Sequence, residues 1–225
     1  MKIRNIIAGG CKTASKLFFF MLVLLGAMTV VSCSETEEEQ ENEFENWESR
    51  NETYFSNIYS QAESAINSGS KEWKIIRVYS KDEDAAKDKK DYIVVHVENE
   101  GVGTECPNLS DTVRLHYRGN LMPSTSYVNG YQFVSSWQGE YNIKSMIPVG
   151  GYAYNCISIG RTYVSIPGVT TALLNMHKGD HWTVYVPYDL GNSALSSIIP
   201  SNSTLKFDLT LVDFLRKGQK FPSYI

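Results

Sequence analysis

The chain has 225 residues, 42% of them hydrophobic and 20% charged, with a formal net charge of −4. Eight acidic residues stand before Arg50, whereas from Asn51 onward 17 acidic residues are offset by 16 basic ones. The later part is therefore long enough for one core, and its sequence shows no basic stripe of the kind a nucleic-acid partner requires.

Residues 1–32 read as a lipoprotein signal peptide. Lys2, Arg4, Lys12 and Lys16 form a basic start, followed by an apolar run from Leu17 to Val31. That run falls short of the roughly 20 residues a spanning helix needs and fits a secretory apolar segment. Val30-Val31-Ser32-Cys33 resembles a bacterial lipobox. The resemblance implies cleavage before Cys33, lipid on that residue and anchorage to a membrane through it. An ordinary signal peptide with a chance cysteine is the plainer alternative.

Residues 33–46 form an acidic tether, Ser34-Glu35-Thr36-Glu37-Glu38-Glu39 and onward. Such a segment buries nothing and repels itself into an extended linker. It also resembles the acidic export signal of Bacteroidota outer-membrane lipoproteins, which implies display on the cell surface. A simple spacer is the other reading.

Residues 47–110 are expected to hold an N-terminal helix and flanking strands. Trp47, Tyr54, Phe55, Ile58, Tyr59, Ala62, Ala65 and Ile66 recur at three- and four-residue steps, the pattern of a one-sided amphipathic helix. Ser68-Gly69 stops it. Its apolar stripe either packs on its own domain or pairs two copies into a dimer, and the first reading is preferred. Strands are predicted for Trp73–Tyr79 and Tyr92–Val97, joined by the charged loop Lys81–Lys90.

Residues 111–225 carry the rest of the fold. Over Asp111–Leu121, Val113, Leu115 and Tyr117 alternate with Thr112, Arg114, His116 and Arg118, as on an antiparallel strand with one wet face. The same alternation marks Trp182-Val184-Val186 and Leu205-Phe207-Leu209-Leu211. Between them, Val169, Ala172, Leu173 and Met176 define one short helix that begins at Pro167-Gly168. The long segment Trp137–Ser165, rich in tyrosine and glycine, reads either as an elaborated sheet edge or as a cover over a binding site. Strands wrapped on one helix make an α+β domain.

Metal chemistry has little support. No CxxC and no His/Cys cluster at ligand spacing occurs, and His177 and His181 flank Gly179-Asp180, so they read as solvated turn residues. Whether Cys106 and Cys156 are bridged is left open by their spacing.

Leu115-His116-Tyr117-Arg118-Gly119, Phe133-Val134-Ser135-Ser136, Ile166-Pro167-Gly168 and Ile199-Pro200 through Phe207-Asp208 occur in that order. Together they resemble the FKBP-type peptidyl-prolyl isomerases. The resemblance implies a curved antiparallel sheet wrapped on one short helix, with an apolar pocket for proline-containing polypeptides between them, and it implies no cofactor and no metal. It also implies catalytic wall positions at Tyr117, Phe133, Ile166, Ile199 and Phe207, with Ile166 offering its backbone N–H to a ligand carbonyl. Each can equally be an inward core residue.

Three pocket positions are substituted. Val134 stands where the family usually has an aspartate, Val169 where it has a large aromatic floor, and Asn192 where a tyrosine presents its hydroxyl. The expected function is a lipid-anchored isomerase acting on exported proteins, with weakened catalysis. A non-catalytic peptide- or partner-binding lipoprotein is the main alternative. A glycan- or nutrient-binding accessory is a weaker one.

Overall fold

The computed structural model describes residues 43–137, 155–158, 166–191 and 199–219. Helix α1 spans Trp47–Asn67, and strands β1 and β2 span Trp73–Arg77 and Tyr92–Asn99. They are followed by β3 (Thr112–Leu121), β4 (Gln132–Ser135), β5 (Asn155–Ser158), helix α2 (Pro167–Leu173), β6 (His181–Val186) and β7 (Leu205–Leu215). The strands form one sheet in the order β1-β2-β6-β7-β3-β4, with β5 also paired to β3. All these pairings are antiparallel. Strands drawn from residues 47–110 and from residues 111–225 therefore share one sheet.

Alternation along the strands sorts side chains onto two faces. On β2, Ile93, Val95 and Val97 join the main core with Trp182, Val184 and Val186 of β6 and with Val169, Ala172, Leu173 and Met176 around α2. Val94 faces the other way, into a second cluster with Phe55, Ile58 and Ala62 of α1. Ile93-Val94-Val95 is a continuous buried run because both faces of β2 are covered. The apolar stripe of α1 thus packs on its own chain, and a dimer through this helix would have to use its remaining surface.

The stop of α1 has a definite geometry. Gly69 adopts φ +87°, its N–H donates to Ile66 O at 2.9 Å, and Ser70 N–H donates to Ala65 O at 3.0 Å. These are the two closing bonds of a Schellman motif, which favours glycine at the left-handed position.

Several expectations shift. The strand predicted over Trp73–Tyr79 ends at Arg77. Val78 turns inward, and its N–H donates to Asp91 O at 2.9 Å. Just after the charged loop, Asp91 is buried and pairs with Lys81 while accepting from the N–H groups of Lys87 and Asp88. The second face of β3 is also drier than its sequence suggests. Arg114 and His116 are 6% and 3% exposed, and Trp137 covers this face at His116 and Arg118. Its ring meets the His116 imidazole edge-on at 6.3 Å and lies 4.4 Å from the Arg118 guanidinium carbon.

His181 is another correction. It opens β6 rather than sitting in the turn, its side chain is only 14% exposed, and Nε2 lies 2.6 Å from Asp208 Oδ1. A β-branched or aromatic residue at every following position favours the strand. Asp180, just before it, is buried and accepts from the N–H groups of Gly101 (2.6 Å) and His177 (2.7 Å).

Candidate functional site

The wall residues named from sequence converge on the inner cluster. Ile166, Val169, Ile199 and Phe207 belong to it, and Tyr117, Phe133 and Val134 pack against it half-buried. Asn192 lies outside the described residues, as do residues 138–154 and 159–165 of the long segment; β5 lies within that segment and adds a short strand against β3, whose bounds the sequence did not mark.

Gly119 explains how the aromatic part is built. It pairs with Val134 on β4 and with Phe207 on β7. A Cβ there would lie 2.5 Å from Phe133 Cζ and 2.8 Å from Val134 Cγ1. With no side chain in the way, the Phe133 ring crosses β3 to meet Phe207 edge-on, centroids 5.7 Å apart and planes at 90°. That arrangement suits the ring quadrupoles. Sequence reading placed Gly119 in a motif without giving it this role.

The two serines after Val134 hold β4 against β3. Ser136 N–H donates to Tyr117 O at 2.8 Å, and Tyr117 N–H donates to Ser136 Oγ at 2.9 Å. Ser135 Oγ donates to Trp137 O at 2.6 Å and accepts from Trp137 N–H at 3.2 Å. The backbone just after Phe133 is therefore fixed by side chains as well as by the ladder.

Ile166 is buried and extended, at φ −76° and ψ 113°, directly before α2. Its carbonyl accepts from Thr170 N–H at 2.9 Å, and Pro167 occupies the first helical position, where a missing N–H costs nothing. Thr171 Oγ1 donates to Pro167 O at 2.8 Å and accepts from Tyr79 N–H at 3.2 Å. Helix α2 and the Ile166 backbone are thus tied to the chain just beyond β1.

Ile199 also borders a groove of about 350 Å³ lined by Phe44, Trp47, Leu121, Met122, Tyr127 and Tyr131, among others. Charge around the inner wall is sparse. His116, next to Tyr117 on β3, points to the opposite face, and burial lowers its pKa. Among the described residues no group of three or more His, Cys, Asp or Glu could hold a metal ion. Cys106 is a free thiol whose pKa burial pushes up.

A model of the FKBP-type peptidyl-prolyl cis-trans isomerases matches residues 103–212. Over 134 residues the chain is 31% identical to FK506-binding protein 1A of Neurospora crassa, covering 57% of this chain and 95% of that protein. This chain therefore belongs to the FKBP-type peptidyl-prolyl isomerase family. It is also 27% identical over 121 residues to the macrophage infectivity potentiator of Trypanosoma cruzi, spanning 53% of this chain and about half, 51%, of that relative. Among solved structures, FkpA from Escherichia coli aligns with 92% of this chain and 73% of its own, at 22% identity and a TM-score of 0.46.

Proposed function

We propose that this protein is a peptidyl-prolyl cis-trans isomerase that acts at the inner wall formed by Tyr117, Phe133, Ile166, Ile199 and Phe207. The observation that carries the reading is the Phe133–Phe207 pair over Gly119, set against an apolar inner cluster beside Tyr117. Rotation about an X–Pro bond is slow because the amide must lose its double-bond character, a barrier of roughly 18–20 kcal/mol. The twisted amide has its nitrogen and carbonyl decoupled and depends less on water. An apolar wall therefore favours it over the planar ground state, which is catalysis by preferential binding. The Ile166 backbone N–H would hold the substrate carbonyl, and no nucleophile, metal or cofactor enters the reaction.

Valine at 134 and 169 and asparagine at 192 remove a polar edge, an aromatic floor and one hydroxyl donor from the family pattern. A single lost hydrogen bond is worth about 0.5–1.5 kcal/mol, so turnover is expected to be weak and not absent. The apolar character of Val134, packed on the inner cluster, also supports a second reading. In it the wall grips proline-containing segments with little turnover.

The leader carries the rest of the proposal. Cys33 bears lipid, residues 33–46 tether the domain, and the protein sits at the outer membrane facing outward. There it would act on prolyl bonds of exported polypeptides. These features rest on the basic start, the apolar run, the lipobox-like Val30-Val31-Ser32-Cys33 and the acidic stretch.

Proline-limited refolding of a test protein, with and without FK506, separates the two readings. Acceleration that the macrolide blocks supports the isomerase. A rate equal to the uncatalysed one overturns it, and binding of a proline peptide would then support the gripping reading. Radiolabelled palmitate should enter the wild type and not Cys33→Ala.

A further inference from the structure

The turn between Ile199 and β7 is held from the far end of the chain. Trp47 Nε1–H donates to Ser203 Oγ at 2.9 Å, across 156 positions of sequence. The same hydroxyl donates to Pro200 O at 2.6 Å. Asn51, one helical turn after Trp47 and only 2% exposed, completes the attachment. Its Oδ1 accepts from Thr204 N–H at 2.8 Å, its carbonyl accepts from Thr204 Oγ1 at 3.3 Å, and its Nδ2 donates to Trp47 O at 2.8 Å.

Within this turn Asn202 has φ +62°, a left-handed conformation that few residues adopt. The turn thus leans on α1 for its shape. The attachment is also directed at the wall. Ile199 lies directly before Pro200, and Phe207 lies on β7 just beyond Thr204. Trp47 itself belongs to the inner cluster, unlike Phe55, Ile58 and Ala62 farther along α1. Packing alone would have tied α1 to the sheet, as it does over Val94. Buried directional hydrogen bonds instead specify one position for the turn.

We propose that Trp47 and Asn51 are positioning residues for the prolyl wall. Acting through Ser203, Thr204 and the Pro200 carbonyl, they fix where Ile199 meets the substrate. The inference rests on the reading of the inner wall as the prolyl site and adds α1 to it as a structural partner.

The test uses the full chain and three variants. Trp47→Phe keeps a ring and removes the N–H, Ser203→Ala removes the relay hydroxyl, and Ile58→Ala weakens α1 away from the turn. KM and kcat are measured by NMR exchange on a short Leu-Pro peptide, at a temperature where every variant is folded. Trp47→Phe and Ser203→Ala should each raise KM roughly three- to tenfold, the size of one lost hydrogen bond. The double variant should add little to Ser203→Ala, which already removes the Trp47 bond together with the hydroxyl's bond to Pro200 O. Ile58→Ala should lose stability with KM unchanged.

An unchanged KM in both Trp47→Phe and Ser203→Ala overturns the inference, as does a KM in Ile58→Ala that rises in step with its loss of stability. Should Trp47→Phe not fold, Ser203→Ala decides alone. A wild type that binds the peptide without turning it over sinks the isomerase reading only, and the same fold-changes are then expected in Kd. A wild type that does not bind overturns both.

Discussion

The two hydrophobic clusters lie on opposite faces of β2 and are built differently. The inner one draws on α2 and several strands and includes the aromatic pair Phe133–Phe207 on its border. The outer one is a small contact between α1 and Val94, with Trp73, Ile75 and Tyr185 around it. The inner cluster both holds the fold and presents the candidate site. The outer cluster holds a helix in place. Stability and activity should therefore fall together on the inner face and separate on the outer one.

Truncating Phe207 should have the largest effect. Phe207→Ala empties a buried ring site and is expected to cost about 3–5 kcal/mol, read by urea denaturation, with turnover lost as well. On the outer face, Ile58→Ala should cost about 2–4 kcal/mol while the folded protein keeps its kcat/KM. Equal losses of activity in the two variants would break the distinction between the faces.

Gly119→Ala sharpens it further. The new methyl would lie 2.5 Å from Phe133 Cζ, so the ring must move, at about 1–3 kcal/mol for overpacking. Activity should fall more than this modest destabilisation explains. By contrast, Gly69→Ala on the outer side forces a left-handed alanine at φ +87°, costing about 1–2 kcal/mol with no change in turnover.

A pH effect is expected from the back of β3. Burial lowers the pKa of His116 below its ordinary value, so the folded state binds this proton less readily than the unfolded chain. The contribution is complete above the ordinary histidine pKa of about 6.5 and is lost as pH falls through the folded value. Thermal unfolding between pH 7 and pH 5 should show the decline, and His116→Gln should flatten it.

Much of this arrangement was legible in the chain. The 3.6-residue stripe of α1, its stop at Ser68-Gly69 and the alternation along β3, β6 and β7 follow from local rules that the tertiary structure leaves intact. The family resemblance of the later half is matched by the FKBP-type family model and by the relatives. What the sequence hid depends on distant partners. The cover over His116 and Arg118 comes from Trp137, whose position no periodicity announces. His181 was misread because Gly179-Asp180 signals a turn, while the Asp208 that receives its imidazole lies on another strand. Asn51 is not among the apolar residues that mark α1, and its buried link to Thr204 carries no local signal. The long segment reads as an elaborated sheet edge or a cover. β5 within it pairs with β3 in the sheet, but its four residues carry too short a pattern to bound a strand from sequence.

The inner wall as the seat of catalysis is tested most directly by kcat/KM on a Leu-Pro peptide for the wild type, Phe133→Ala and Phe55→Ala. The account predicts a measurable rate for the wild type, a loss of roughly tenfold or more in Phe133→Ala, equivalent to at least about 1.4 kcal/mol of transition-state stabilisation, and little change in folded Phe55→Ala. A wild type indistinguishable from the uncatalysed exchange, or a Phe133→Ala variant as active as the wild type, would contradict it.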